Sequence, residues 1–169
     1  MIPVYFNIFV GSDADYFSMP RSERQDWAIV HASKDPWHRK AVGYRTVSPP
    51  KGHPNRLFKI VGSELYLNLL DAPDMKHIPF PVVKKALSFI DHWVQRKKIF
   101  IHCNQGKSRG PSIAFIYMMS KGVSNYRKPE HFKFAQIEFR MRYPKYNPSK
   151  GMVDMSRIYW DAYCKKQQK

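Results

Sequence analysis

Three β-favouring residues, Ile99, Phe100 and Ile101, lead into His102. They are followed by the loop Cys-Asn-Gln-Gly-Lys-Ser-Arg from Cys103 to Arg109, and then by Pro111 and an apolar run from Ile113 to Met119. That run is too long and too rich in Met and Ala for a strand, and Pro111 suits a first helical turn, so the spacing predicts strand, loop and helix N-terminus. A turn of this kind aims unpaired backbone N–H groups and a helix dipole at one point. Such a point binds an anion, most readily a phosphate.

The loop residues say what could happen to that phosphate. A cysteine at a strand exit, beside free N–H groups and a following guanidinium, is expected as a thiolate near neutral pH, which makes Cys103 a nucleophile candidate. Arg109 can fold back over the loop and offer paired donors to two phosphate oxygens, a geometry lysine lacks. Gly106 sits mid-loop, where a side chain would obstruct the backbone's approach to a ligand or where φ needs to be positive. Two rival readings exist. Gln-Gly-Lys-Ser is the tail of a nucleotide-binding loop, but its first glycine would fall at Ile101. A buried structural cysteine is the other, and it gives no reason for Arg109.

His102-Cys103-x5-Arg109 between strand and helix resembles the cysteine-dependent protein tyrosine phosphatase superfamily, and the length resembles its small dual-specificity branch. The resemblance implies Cys103 as the nucleophile forming a phosphocysteine and Arg109 as phosphate clamp. It implies a substrate cradle of Asn104, Gln105, Gly106, Lys107, Ser108 and Gly110, with His102 supporting the loop. It also implies a three-layer α/β fold, with a mostly parallel central sheet of about four to five strands flanked by helices. The chemistry would need no metal or cofactor, and the default substrates would be phosphotyrosine and phosphoserine/threonine proteins. One departure stands out: the family places Ser or Thr directly after the arginine to assist the leaving thiolate, and here that position is Gly110, with Ser108 and Ser112 nearby.

A general acid is also implied. Asp71 closes the run Glu64 to Leu70, at the strand end where open α/β sheets bind ligands. Asp74 is its rival, and turn chemistry alone explains Asp-Ala-Pro-Asp equally well.

With 29 Lys and Arg against 13 Asp and Glu, the chain carries +16, a field that draws polyanions. Together with Lys107 it opens a second reading, a phosphoinositide or RNA 5′-phosphatase with the same chemistry. Gly110 opens a third, a module that binds phosphorylated partners without turnover. An evenly cationic solvated surface would account for the charge as well. The seven histidines show no metal-ligand spacing. No stretch approaches the roughly 18 apolar residues of a membrane span, no secretory signal is visible, and two cysteines make no disulfide framework, so a cytoplasmic location is expected.

The length fits a single phosphatase domain, 1–169, with a long excursion at about 32–56. The run from Val4 to Val10 reads as one strand and Trp27 to His31 as another. The excursion, which resembles bacterial and bacteriophage members of the family, offers Lys34, Trp37, His38 and Arg39 as substrate contacts or merely as surface packing. Leu57 to Val61 and Glu64 to Leu70 flank Gly62-Ser63 as a hairpin. An amphipathic helix starts at Pro79-Phe-Pro81. Further helices are expected over Glu130 to Tyr143 and Gly151 to Tyr163, separated by the break Tyr143-Pro-Lys-Tyr-Asn-Pro148.

Overall fold

The computed structural model describes residues 1–167. Its first apolar run is not one strand but two. Phe6 adopts a φ of 38° and folds the run into an antiparallel hairpin, β1 (Ile2–Tyr5) and β2 (Ile8–Ser12). Ser12 then caps the short helix α1 (Asp13–Ser18): its hydroxyl accepts from the Asp15 N–H, while the Asp15 carboxylate accepts from the Ser12 N–H at 2.7 Å. Strand β3 (Trp27–His31) follows, and the excursion begins with a wide helical turn, Lys34–His38, continued by α2 (Arg39–Val42).

Beyond the excursion lie the hairpin strands β4 (Phe58–Val61) and β5 (Glu64–Leu67), and then helix α3 (Phe80–Trp93). Strand β6 (Lys98–Cys103) precedes helices α4 (Arg109–Ser120), α5 (Phe132–Arg142) and α6 (Lys150–Gln167). One expected boundary moves inward: the strand from Glu64 stops at Leu67, so Asp71 lies in an extended loop beyond it. Another moves outward, because α4 begins at Arg109, ahead of Pro111.

The sheet has six strands in the order β1-β2-β6-β3-β5-β4, more than expected because the first run is a hairpin. The four inner strands are parallel and both edge pairs are antiparallel. At the centre, β6 pairs Cys103 with Ser12 on one side and His102 with His31 on the other. Three strand ends therefore finish level, which is where parallel sheets present their ligand crevice.

Alternation along the strands assigns the two faces. Ala28, Val30, Leu65, Leu67, Ile99, Ile101 and Cys103 face the main core, which α3, α4 and α6 complete. Trp27, Ile29 and Phe100 face the other way and pack with Tyr16 and Met19, with Phe9 and Trp37 against them. Helix α4 lies within the main core and is buried from Gly110 to Met119. Among the described residues, no helix is long and apolar enough to cross a membrane.

Phe115 on α4 is fully buried, 5.5 Å from the Phe139 ring and 6.0 Å from that of Tyr146. Phe115→Ala removes the ring that joins α4 to these partners and is expected to lower stability by about 3–5 kcal/mol. Urea unfolding measures that loss.

Candidate active site

The loop from Asn104 to Ser108 joins a buried strand end to a helix buried from Gly110 to Met119. Within it, the Gly106 N–H bonds to the Cys103 carbonyl at 3.2 Å, whereas the N–H groups of Asn104, Gln105, Lys107 and Ser108 have no partner among the described residues. Gly106 takes a φ of +67°, and a Cβ there would lie 2.8 Å from the Gly11 carbonyl carbon and oxygen. The positive φ expected of this glycine is present, and a side chain is excluded by the backbone of strand β2.

Cys103 is only 2% exposed, yet it lines a cleft of about 460 Å³ together with Asp71, Asn104, Gln105, Lys107, Ser108, Arg109, Asn147, Pro148 and Ser149. Arg109 folds back over the loop. Its Nη1 donates to the Leu69 carbonyl at 3.3 Å and its Nη2 to Asn104 Oδ1 at 2.6 Å. Its Nε is buried with no partner among the described residues, 3.8 Å from Asp71 Oδ2.

Asp71 lines the same cleft with its side chain 41% exposed, and Ser108 Oγ donates to its Oδ1 at 2.6 Å. Asp74 lies apart from the cleft residues. It caps the turn Met75–His77, accepting from the Lys76 N–H at 2.9 Å and pairing with the Lys76 ammonium at 2.8 Å. Gly110 also lies outside the cleft lining, and its role is packing: a Cβ there would come within 3.1 Å of the His102 carbonyl carbon and 3.3 Å of the Cys103 nitrogen. Helix α4 sits that close to β6. Ser112 points away, buried 3.5 Å from the Tyr146 hydroxyl.

None of Lys34, Trp37, His38 and Arg39 is among the cleft residues. The excursion serves the loop from behind instead. The Asp35 carbonyl accepts from the Asn104 amide at 3.0 Å, and Trp37 Nε1 donates to Asp13 Oδ1 at 2.8 Å.

Behind Cys103, on the second face of the sheet, runs a line of polar groups. His102 and His31 are both fully buried. His102 Nδ1 lies 2.9 Å from Asp13 Oδ1, its Nε2 lies 2.7 Å from His31 Nδ1, and His31 Nε2 lies 3.1 Å from Glu64 Oε2, which also accepts from the Tyr66 hydroxyl. His102 stacks on Phe100 and Tyr16, and His31 on Tyr66 and Trp37. Burial lowers the pKa of both imidazoles, that of His31 to about 4, and favours their neutral forms. A carboxylate only accepts, so His102 donates its Nδ1–H to Asp13 Oδ1. Burial alone would raise the Asp13 pKa, but donors from His102, Trp37 and Asn104 bring it below the ordinary carboxylate value.

A second set of residues holds the loop from the far side. The Tyr143 hydroxyl donates to the Gly106 carbonyl at 2.7 Å, the Asn147 N–H to the Lys107 carbonyl at 2.8 Å, and the Ser149 N–H to Ser108 Oγ at 3.0 Å. In the sequence this stretch reads as a break between helices. Its signal was the dense Pro, Asn and Tyr content immediately before the last helix.

No family model matches the chain. Over 109 residues, 62% of its length, the chain is 34% identical to the dual specificity protein phosphatase YVH1 of Plasmodium falciparum, and the match spans 17% of that relative. The human DUSP28 crystal structure superposes with a TM-score of 0.64 at 17% identity, covering 95% of this chain and 93% of that one. The Yvh1 phosphatase domain of Chaetomium thermophilum superposes at 0.60 with 20% identity, covering 96% and 95%.

The neutral His31 sets a pH dependence. Its folded pKa, about 4, lies below the 6.5 of an unperturbed histidine, so the unfolded chain binds the proton more readily. Its contribution is fully present above pH 6.5 and is lost as pH falls toward about 4. The urea midpoint should therefore be lower at pH 5 than at pH 7, and His31→Gln should narrow that difference.

Proposed function

From a chain with the dual-specificity phosphatase fold and a dual-specificity protein phosphatase as sequence homologue, we propose a metal-independent phosphomonoesterase working through a phosphocysteine. The observation that carries this reading is the single cleft where Cys103, a folded-back Arg109 and Asp71 meet above unpaired loop N–H groups.

In the first step the Cys103 sulfur attacks phosphorus, an S–P bond forms, and the P–O bond to the leaving group breaks. Asp71 gives its proton to the departing oxygen. Loop N–H groups and the Arg109 guanidinium hold the equatorial oxygens, with Arg109 Nε turning from no partner to a phosphate oxygen. In the second step the Asp71 carboxylate takes a proton from water, the oxygen of that water bonds to phosphorus, and the S–P bond breaks to return the thiolate and release inorganic phosphate. Ser108, donating to Asp71 Oδ1, keeps this carboxylate beside the cleft through both steps.

Phosphotyrosine and phosphoserine/threonine proteins are the substrates we assign. Both cysteines are free, which suits a reducing compartment such as the cytoplasm. A polyanionic substrate, an inositol lipid or an RNA 5′ end, is favoured by one specific observation: Lys107 lines the cleft of a chain carrying +16. Turnover compared across phosphopeptides, inositol lipids and triphosphorylated RNA ranks these substrates. Phosphocysteine formed once per chain without further release would instead point to a phospho-binding module.

Cys103→Ser is expected to abolish phosphate release from an aryl phosphate. Asp71→Asn should lower kcat about 10²–10⁴-fold, and Asp74→Asn should leave it near the unsubstituted rate. Substantial activity in Cys103→Ser would refute the mechanism.

A further inference from the structure

Asn104 holds an amide whose orientation its neighbours dictate. Its Nδ2 lies 3.0 Å from Asp13 Oδ2 and 3.0 Å from the Asp35 carbonyl oxygen, and both of these only accept. The opposite end must then be oxygen, and it receives Arg109 Nη2 at 2.6 Å. Asp13 is itself fixed. Its Oδ1 takes Trp37 Nε1 and His102 Nδ1, and its backbone N–H donates to the Asn104 carbonyl at 3.3 Å.

We propose that Asp13 is a positioning residue for the Arg109 clamp, acting through the amide of Asn104. Three donors converge on the two oxygens of one carboxylate, and no other side chain of that shape accepts on both. An amide in its place keeps an oxygen toward Trp37 and His102, because turning it over would set NH2 against two donors instead of one. Its nitrogen then faces Asn104 Nδ2. Asn104 must turn over to relieve that contact, which points its own nitrogen at Arg109 and its oxygen at the Asp35 carbonyl. The guanidinium loses its short hydrogen bond at 2.6 Å and with it the aim of its free Nε. Asp13 touches no reacting atom, and its influence travels along two side-chain contacts.

The proposal rests on the phosphatase reading only for its kinetic consequence, so binding is measured apart from turnover. In a Cys103→Ser background, titration calorimetry with inorganic phosphate is expected to show about tenfold weaker binding in Asp13→Asn, the size of losing one hydrogen bond to a charged group. Asn104→Ala should weaken binding to a similar degree. The pair should weaken it no more than either change alone, since both cut the same line. A merely structural contribution of Asp13 would give effects that multiply. Asn104→Ala leaves the half-buried Asp13 carboxylate in place and carries the test if Asp13→Asn does not fold.

Unchanged phosphate binding in Asp13→Asn or in Asn104→Ala, or multiplying effects in the pair, overturns the relay. The functional reading fails differently: phosphate binds, the relay behaves as described, and the Cys103 protein releases no phosphate from any phosphomonoester. Absence of phosphate binding in the Cys103→Ser protein itself removes both.

Discussion

A cradle built of backbone N–H groups has no side chain of its own to keep it open, so its shape comes from whatever presses on the loop from outside. Here the pressure comes from three sides. Gly106 lies against the backbone of Gly11, leaving no room for even a methyl group. Tyr143, Asn147 and Ser149 hold the carbonyl side of the loop through hydrogen bonds to Gly106, Lys107 and Ser108. Asn104, joined to Asp13 and to the Asp35 carbonyl, fixes the remaining end. The parallel pairing of β2, β6 and β3 brings Gly11, Asp13 and the start of the excursion level with the loop, and the segment between α5 and α6 supplies the third anchor.

The second face of the sheet solves an electrostatic problem. Two imidazoles removed from water, between two half-buried carboxylates, would be costly in isolation. In line, each lies within hydrogen-bond reach of the next, and flat rings on both imidazoles exclude water and fix their planes. The excursion after β3 belongs to this arrangement. Its contribution is Trp37 and the Asp35 carbonyl, delivered from behind the loop.

How much of this was legible in the sequence depended on distance along the chain. The strand, loop and helix around Cys103 were readable because their signals are local: β-branched and aromatic residues, a glycine, a proline at a first helical turn, and an apolar run. The β4–β5 hairpin was readable from Gly62-Ser63 for the same reason. The hairpin of β1 and β2 was not, because its turn relies on a phenylalanine with positive φ, a conformation no propensity favours. Asp13, His31 and Glu64 carried no local signal. His31 stands 71 positions before His102 and Asp13 stands 89, and only strand register brings them together. Between Asp71 and Asp74, sequence offered two carboxylates in one turn. The structure separates them by partner, one held by Ser108 in the cleft and the other closing the turn at Lys76.

The close seating of α4 on β6 at Gly110 has a chemical corollary. Writing an alcohol into that position requires strand backbone to give way by a few tenths of an ångström at the very residues that carry the sulfur. A hydroxyl at residue 110 therefore comes with a displaced backbone at His102 and Cys103. The hydroxyls that the cleft does hold, those of Ser108 and Ser149, stand among its lining residues.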